Sequence, residues 1–235
     1  MGKSWKNPMM AANAAKKGAK ITKLAREIQV AAKLGGPDPE TNNRLRAAID
    51  AAREESVPKD TIERAIKKGA GLDAGAAQIE EISYEGYGPH QVAIIVECQT
   101  DNRNRTASEI KNIFNKNGGR IGEVGSVAWM FDRVAMVEGS NPNLKDAEED
   151  AIEAGANEVE KVGEANYRFY GEPTDLKSIE TALSGRGWKI TSAELSYKAK
   201  NLAEIGEAEK KEVFEFIQIL DDNDDTHRIH ATVDL

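Results

Sequence analysis

Apolar residues recur at helical spacing through the N-terminal part of the chain and at strand spacing beyond it. Ile21, Leu24, Ile28 and Ala31 fall on one face of a helix predicted over Asn13–Leu34, which Gly35-Gly36-Pro37 ends. Leu45, Ala48, Ile49 and Ala52 form the stripe of a second helix. Val57-Pro58 breaks it, because a proline disfavours the α conformation in the residue before it. Pro58 suits the first turn of a third helix, whose stripe is Ile62, Ala65 and Ile66 and whose end is marked by Gly69 and Gly71. Residues 1–12 mix Trp5 and Met9-Met10 with polar neighbours and read as an arm.

From Gly69 to about Glu80 the chain is small, polar and glycine-rich, as a linker is. Glu81–Tyr84 and Gln91–Gln99 then read as strands, the second apolar enough to be buried on both faces. Thr106 and Glu109 have capping-box spacing for a helix over Thr106–Asn117. Val127–Phe131 reads as a further strand after a glycine-punctuated loop. From Arg133 the order is strand 134–138, helix 145–154, strand 158–162, strand 167–171, helix 175–184, strand 188–197. That is β-α-β-β-α-β, a ferredoxin-like pattern. The remaining helix, 207–220, and strand, 228–233, cannot bury a core alone, but they would complete the unit begun at Glu81.

The predicted fold class is therefore α+β, an N-terminal helical bundle plus two ferredoxin-like α/β domains, the third inserted into the second. The boundaries are 1–72 for the helical domain, 79–132 plus 204–235 for the middle domain and 133–203 for the insert.

Charge changes the picture. The whole chain carries −8, but residues 1–71 hold 15 Lys+Arg against 8 Asp+Glu, a net +7, which leaves −15 on the rest. Such asymmetry suggests an anion-binding module on an acidic body. The basic candidates are Lys16, Lys17, Lys20, Lys23 and Arg26 on the first helix and Arg44, Arg46, Lys59, Arg64, Lys67 and Lys68 on the helical pair. Lys16, Lys20 and Lys23 share one face at i, i+4, i+7 spacing, off the apolar stripe. An ordinary solvated helical face would also account for this pattern, since Glu54, Glu55, Asp60 and Glu63 dilute it.

Other chemistry is sparse. One cysteine, Cys98, excludes an internal disulfide framework. His227 and His230, three apart in a strand, would face opposite sides and could not share a metal ion. No phosphate loop, nucleophile–base pair or cofactor motif is present, so no catalytic residue, metal, cofactor or small-molecule substrate is expected. No apolar run reaches the roughly 20 residues of a membrane helix, nor does the N-terminus read as a signal peptide, so a cytoplasmic protein is expected; a monomer is the separate expectation for its assembly. The turn Thr100-Asp101-Asn102-Arg103-Asn104-Arg105-Thr106 leads from a strand to a helix N-terminus. It could bind an anion there, or satisfy itself with its arginines on Glu85 or Glu97; the second is the expectation.

Several of these stretches together resemble the YebC/PmpR family. They are Gly35-Gly36-Pro37-Asp38-Pro39 with Asn42 and Arg44–Ile49, Pro58–Lys67, Tyr84-Glu85-Gly86-Tyr87-Gly88-Pro89, Thr100–Thr106, Gly122-Glu123-Val124-Gly125-Ser126-Val127 and Asp221-Asp222-Asn223-Asp224-Asp225. The family comprises bacterial proteins described as probable transcriptional regulators, with mitochondrial relatives that are translational activators of a cytochrome oxidase subunit. The resemblance implies three domains, the third inserted into the second, in agreement with the element count.

Two departures stand out. Asn7-Pro8-Met9-Met10 brings no charge where the family is basic, so the arm offers fewer phosphate contacts. His90-Gln91 follows Gly88-Pro89 where two glycines are usual, so a reversal relying on positive φ is expected to be drawn differently. The implied function is a nucleic-acid-binding regulator, either on DNA in transcription or on the ribosome and its RNA in translation. Both need phosphate contacts, and the sequence does not separate them.

Overall fold

The computed structural model describes residues 8–73, 75 and 78–234, with side chains from residue 17 onward. Trp5 and the start of the arm lie outside these residues. Helix α1 (Pro8–Gly35) takes in the rest of the predicted arm, with Pro8 at its first position, where the missing N–H costs nothing. Helices α2 (Asn43–Glu54) and α3 (Lys59–Gly69) pack on it. Ile28, Ala31, Leu45, Ile49, Ile62 and Ala65 form their common core, the stripes the periodicity picks out. Gly69 is required by close packing, because a Cβ there would lie 2.2 Å from the Gln29 carbonyl oxygen.

The rest of the chain forms two four-stranded antiparallel sheets with helices. Strands β1 (Glu80–Tyr87) and β2 (Ala93–Thr100) pair as a hairpin, followed by α4 (Arg103–Lys116) and the short β3 (Arg120–Ile121). Strand β4 (Phe131–Ser140), α5 (Ala147–Ala154), β5 (Glu158–Val162), β6 (Asn166–Gly171), α6 (Leu176–Gly185) and β7 (Lys189–Ala199) come next. Helix α7 (Glu207–Asp221) and β8 (Thr226–Ala231) end the order.

The second sheet runs β5-β6-β4-β7 and the first β3-β1-β2-β8. The last strand thus returns across the whole β4–β7 unit to pair with β2, Val96 opposite Ile229. The first sheet's chain order is β-β-α-β-α-β, because β1 and β2 are joined directly rather than through a helix.

Strand β2 is buried on both sides. Val92, Ile94, Val96 and Cys98 join a core with Phe114 of α4 and Phe216 of α7. Ala93 and Ile95 meet Val127 and Phe131, the join to the second sheet. Burial pushes the Cys98 thiol up to about 12, so it stays protonated and inert.

Beyond the longer α1 and the first sheet's chain order, which is not the expected ferredoxin-like β-α-β-β-α-β, three elements differ from the expectations. Helix α4 starts at Arg103, capped by Asn102, whose side chain accepts the Arg105 N–H at 3.1 Å; Thr106 is not the cap. Residues 128–130 form a 3-10 turn rather than a strand. The Glu85 carboxylate takes the N–H groups of Val127 and Ala128, both at 2.9 Å, so they are not available to a ladder. His90 and Gln91 hold φ of 57° and 60°, so the turn keeps the left-handed geometry without glycine. Glu212 holds the His90 ring there, 2.9 Å from Nε2.

Candidate nucleic-acid interface

The helical domain divides its cations into two sets. The first set turns toward the two-sheet body. Lys23 of α1 donates to the Asp221 carbonyl and lies 3.1 Å from the Asp221 carboxylate. Arg26, one turn on, reaches the Asp224 carbonyl and the Asp225 carboxylate, the latter at 2.8 Å. Arg44 of α2 forks onto Glu27, with Nε and Nη2 at 2.7 and 3.1 Å from the two carboxylate oxygens, and reaches Glu81 of β1 at 3.0 Å. Burial opposes both charges of the Arg44–Glu27 pair. The fork outweighs it, holding Glu27 below the usual carboxylate range and Arg44 above its ordinary value.

The second set faces solvent. Lys59 is 87% exposed and, among the described residues, pairs only with Glu63, at 3.6 Å. Lys20 meets Glu55 at 2.7 Å on an exposed surface. Arg46 donates to the carbonyls of Pro39 and Glu40 and to the Asn43 side chain, which fixes its guanidinium without neutralising it. Arg64 does the same on the Asp60 carbonyl. Lys67 and Lys68 close α3, where cations complement the helix dipole. Lys17, Arg46, Arg64, Lys67 and Lys68 have no carboxylate partner among the described residues. Lys16 falls among the residues whose side chains are not described. The expected face of Lys16, Lys20 and Lys23 is therefore not one free surface, because Lys23 is anchored to the end of α7.

The turn after β2 is satisfied from within, through a residue that sequence reasoning did not assign. Asp225 is fully buried and accepts from Thr106 Oγ1 at 2.6 Å, Thr100 Oγ1 at 3.2 Å and Arg105 Nη2 at 2.9 Å. Burial would raise its pKa, but Thr106, Arg105 and Arg26 together hold it below the usual range. Arg103 pairs with Glu80 at 3.6 Å and Arg105 with Asp101 and Asp225, not with Glu85 or Glu97. The register of β8 explains this. Gln99 N–H donates to the Asp225 carbonyl at 2.8 Å, which sets the aspartate beside Thr100. Only the acidic run before the last strand hinted at it.

Between the helices and the two sheets lies a cavity of about 550 Å³, lined by Arg44, Glu81, Glu97, Arg133 and Glu194. These charges are matched internally: Arg133 lies 3.6 Å from Glu97 and stacks over Tyr197, and Glu194 pairs with Arg228. The two histidines of β8 point to separate carboxylates. His230 Nε2 is 2.9 Å from Glu97, and His227 Nε2 is 3.2 Å from Glu27 but off the line a hydrogen bond needs. Burial, with Arg228 nearby, pushes the His227 imidazole down to about 4, so it is neutral at pH 7. No helix among the described residues is long and apolar enough to cross a membrane.

Sequence comparison decides the kinship. The profile for the TACO1/YebC protein N-terminal domain matches residues 3–72, and that for the TACO1/YebC second and third domain matches residues 79–233. The chain belongs to the TACO1/YebC family. A probable transcriptional regulatory protein of Bdellovibrio bacteriovorus, Bd1964, is 57% identical over 99% of this chain and all of its own length. One from Dictyoglomus turgidum is 43% identical over 96% of this chain and 91% of its own. Among solved structures, the conserved hypothetical protein Aq1575 of Aquifex aeolicus superposes with a TM-score of 0.81 at 39% identity, covering 93% of this chain and 90% of that one. TACO1/YebC relatives thus carry regulator names, and the helical part and the two-sheet part each match a distinct profile of the family.

Proposed function

We propose that this protein regulates gene expression by binding nucleic acid through the solvent-facing cations of its helical domain, as a DNA-binding transcriptional regulator. The observation that carries the reading is the split in charge. Arg46, Lys59, Arg64 and Lys67, with Lys17 and Lys20, are exposed and Lys68 half-buried on a module of net +7, and the body behind them carries −15. Such a molecule orients its helical end toward phosphate and its body away from it. Lys23, Arg26 and Arg44 contribute indirectly, by holding the helices on the body.

The reading assigns no catalytic residue, no cofactor and no small-molecule substrate. It treats the chain as a cytoplasmic monomer with three domains: 1–72, 79–132 with 204–235, and an inserted ferredoxin-like unit at 133–203. The first sheet keeps a ferredoxin-like spatial layout with one strand moved to the front of the chain order. The relatives' names, probable transcriptional regulatory proteins, favour DNA as the ligand. The ribosome as working ligand, in a translation factor, is the competing reading and uses the same surface.

One experiment tests both. Lys59, Arg64, Lys67 and Lys68 are replaced together by Gln, and binding is titrated against salt on duplex DNA and on ribosomes. Log K is expected to fall with log salt by roughly 0.9 per phosphate neutralised on duplex, and the variant to show a shallower slope on all sequences alike. Unchanged slope and affinity on both ligands would remove this surface from the mechanism. A loss confined to ribosomes moves the function from transcription to translation.

A further inference from the structure

The loop between β3 and β4, residues 122–130, holds two apolar side chains in solvent. Val124 is 94% exposed and Trp129 66% exposed. The loop is nevertheless firmly built. The Glu85 carboxylate accepts the N–H groups of Gly125, Val127 and Ala128 at 2.8, 2.9 and 2.9 Å. Burial works against that charge, but the three donors outweigh it and hold the carboxyl below its usual range. The Trp129 indole N–H donates to the Ser126 carbonyl at 3.1 Å, and the Tyr87 hydroxyl donates to the same oxygen at 3.4 Å. Across the β1–β3 pair, Arg120 sits opposite Tyr87, its Cζ 5.8 Å from the ring centroid. Arg120 has no carboxylate partner among the described residues.

We infer that this loop is a stacking platform for an unpaired base of single-stranded nucleic acid, with Trp129 as the ring and Arg120, held near the Tyr87 ring whose hydroxyl shares the Ser126 carbonyl with the indole, for an adjoining phosphate. The inference rests on the nucleic-acid reading and deepens it by naming the form of ligand. The indole's one polar group is spent on Ser126, so what it offers to solvent is its ring. An aromatic face stacks on any base, and an arginine next to it adds charge without reading sequence. Stacking also works on an acidic body, where a purely ionic contact would be repelled. The Glu85 charge is absorbed by the loop's own N–H groups, which leaves Glu123 as the carboxylate on the loop itself. A stable protein partner needs roughly 800 Å² on each side, far more than two side chains supply.

The test uses the full chain with an eight-nucleotide oligoadenylate RNA and, in parallel, a mixed-sequence DNA duplex. The chain also holds Trp5, so fluorescence is read in a Trp5→Phe background; Trp188 is 3% exposed, and quenching by the oligonucleotide then reports chiefly on Trp129. Trp129→Ala is expected to lose most of the quench and to weaken oligonucleotide binding about tenfold, as loss of one stacked base does. Duplex binding and the urea midpoint should not move, and Trp129→Phe should restore most of the affinity. Arg120→Gln should lower the salt slope on the single strand only.

Equal oligonucleotide binding by wild type and Trp129→Ala overturns the inference and leaves the helical interface standing. Wild type that binds duplex but not the oligonucleotide does the same. Wild type that binds neither, and no ribosome, sinks both readings. If Trp129→Ala loses ribosomes but keeps the oligonucleotide and protein-free ribosomal RNA, the loop docks on a protein and the stacking role is wrong.

Discussion

Lys23, Arg26 and Arg44 sit on the same three-helix unit as Arg64, Lys67 and Lys68, yet the two sets live in different dielectric surroundings. Arg26 retains 14% side-chain exposure and meets a carboxylate with 1%. Lys59 is 87% exposed and its carboxylate partner is half in water. An exposed pair such as Lys59–Glu63 or Lys20–Glu55 contributes about 0–1 kcal/mol and fades with salt. The buried group cannot be removed so lightly, because its partner is then left charged and unmatched. The lesson is that a cation off its own helix's apolar stripe is not thereby free. It is free only if no second domain comes down on that face.

The first way to break the comparison is to delete the buried anion. Asp225→Ala takes from Arg26 its carboxylate and removes the acceptor shared by Arg105 and the hydroxyls of Thr100 and Thr106. The expected loss is about 3–5 kcal/mol, read as a lowered urea midpoint. Glu55→Ala, which strands only Lys20, should change stability by no more than about 1 kcal/mol. Equal effects would mean that the inward contacts are no stronger than the outward ones.

Acid attacks the same junction. His227 titrates near 4 in the folded chain against an ordinary 6.5. Above pH 6.5 it is neutral in both states and contributes nothing to the pH dependence. Between 6.5 and 4 the unfolded chain takes up a proton that the folded chain refuses, so stability falls as pH falls; below 4 the loss is constant. From pH 7 to 5 this amounts to on the order of 2 kcal/mol. Glu27 and Asp225, both held below their usual range, extend the decline further into acid, since their stabilisation is lost as they protonate. Unfolding measured across this range should show the slope, and His227→Gln should flatten it between pH 7 and 5.

Much of this architecture was legible in residue order. The apolar stripes of Ile28, Leu45 and Ile62 marked the helical core, and VAIIVEC marked a strand covered on both faces. The lone helix and strand at the C-terminus required the first sheet as their partner, and β8 does pair with β2. The contacts of the basic residues were not legible, because they depend on tertiary register. Asp225 lies 120 residues from Arg105 and 199 from Arg26, and nothing local links them. Thr106 reads as a cap because Thr-x-x-Glu is a local pattern. The true cap, Asn102, lies one turn earlier, and Thr106 was needed elsewhere.

That reassignment gives a third, smaller effect. Thr106→Ala removes a 2.6 Å bond from a buried, charged acceptor and should cost about 2 kcal/mol. Asn102→Ala removes only a cap and should cost about 1 kcal/mol. If Asn102 proved the costlier of the two in urea unfolding, the hydroxyl would not be part of the aspartate's support.

The smallest effect on stability separates the two sets of cations most cleanly. Lys67→Gln removes a solvent-facing charge with no carboxylate partner among the described residues, so stability should stay within about 0.5 kcal/mol. If Lys67 meets a phosphate, the salt slope on duplex DNA should still drop by roughly 0.9, and by about 0.7 on a single strand. Lys23→Gln should behave in the opposite sense. It gives up the charged contact to Asp221, so stability should fall by about 1–2 kcal/mol while the salt slope holds. Each variant is measured twice, by urea unfolding and by salt titration of binding. The division stands if the two readouts move one at a time. If Lys23→Gln flattens the slope without loss of stability, its tie to Asp221 must open on binding, and the inward set then belongs to the interface after all.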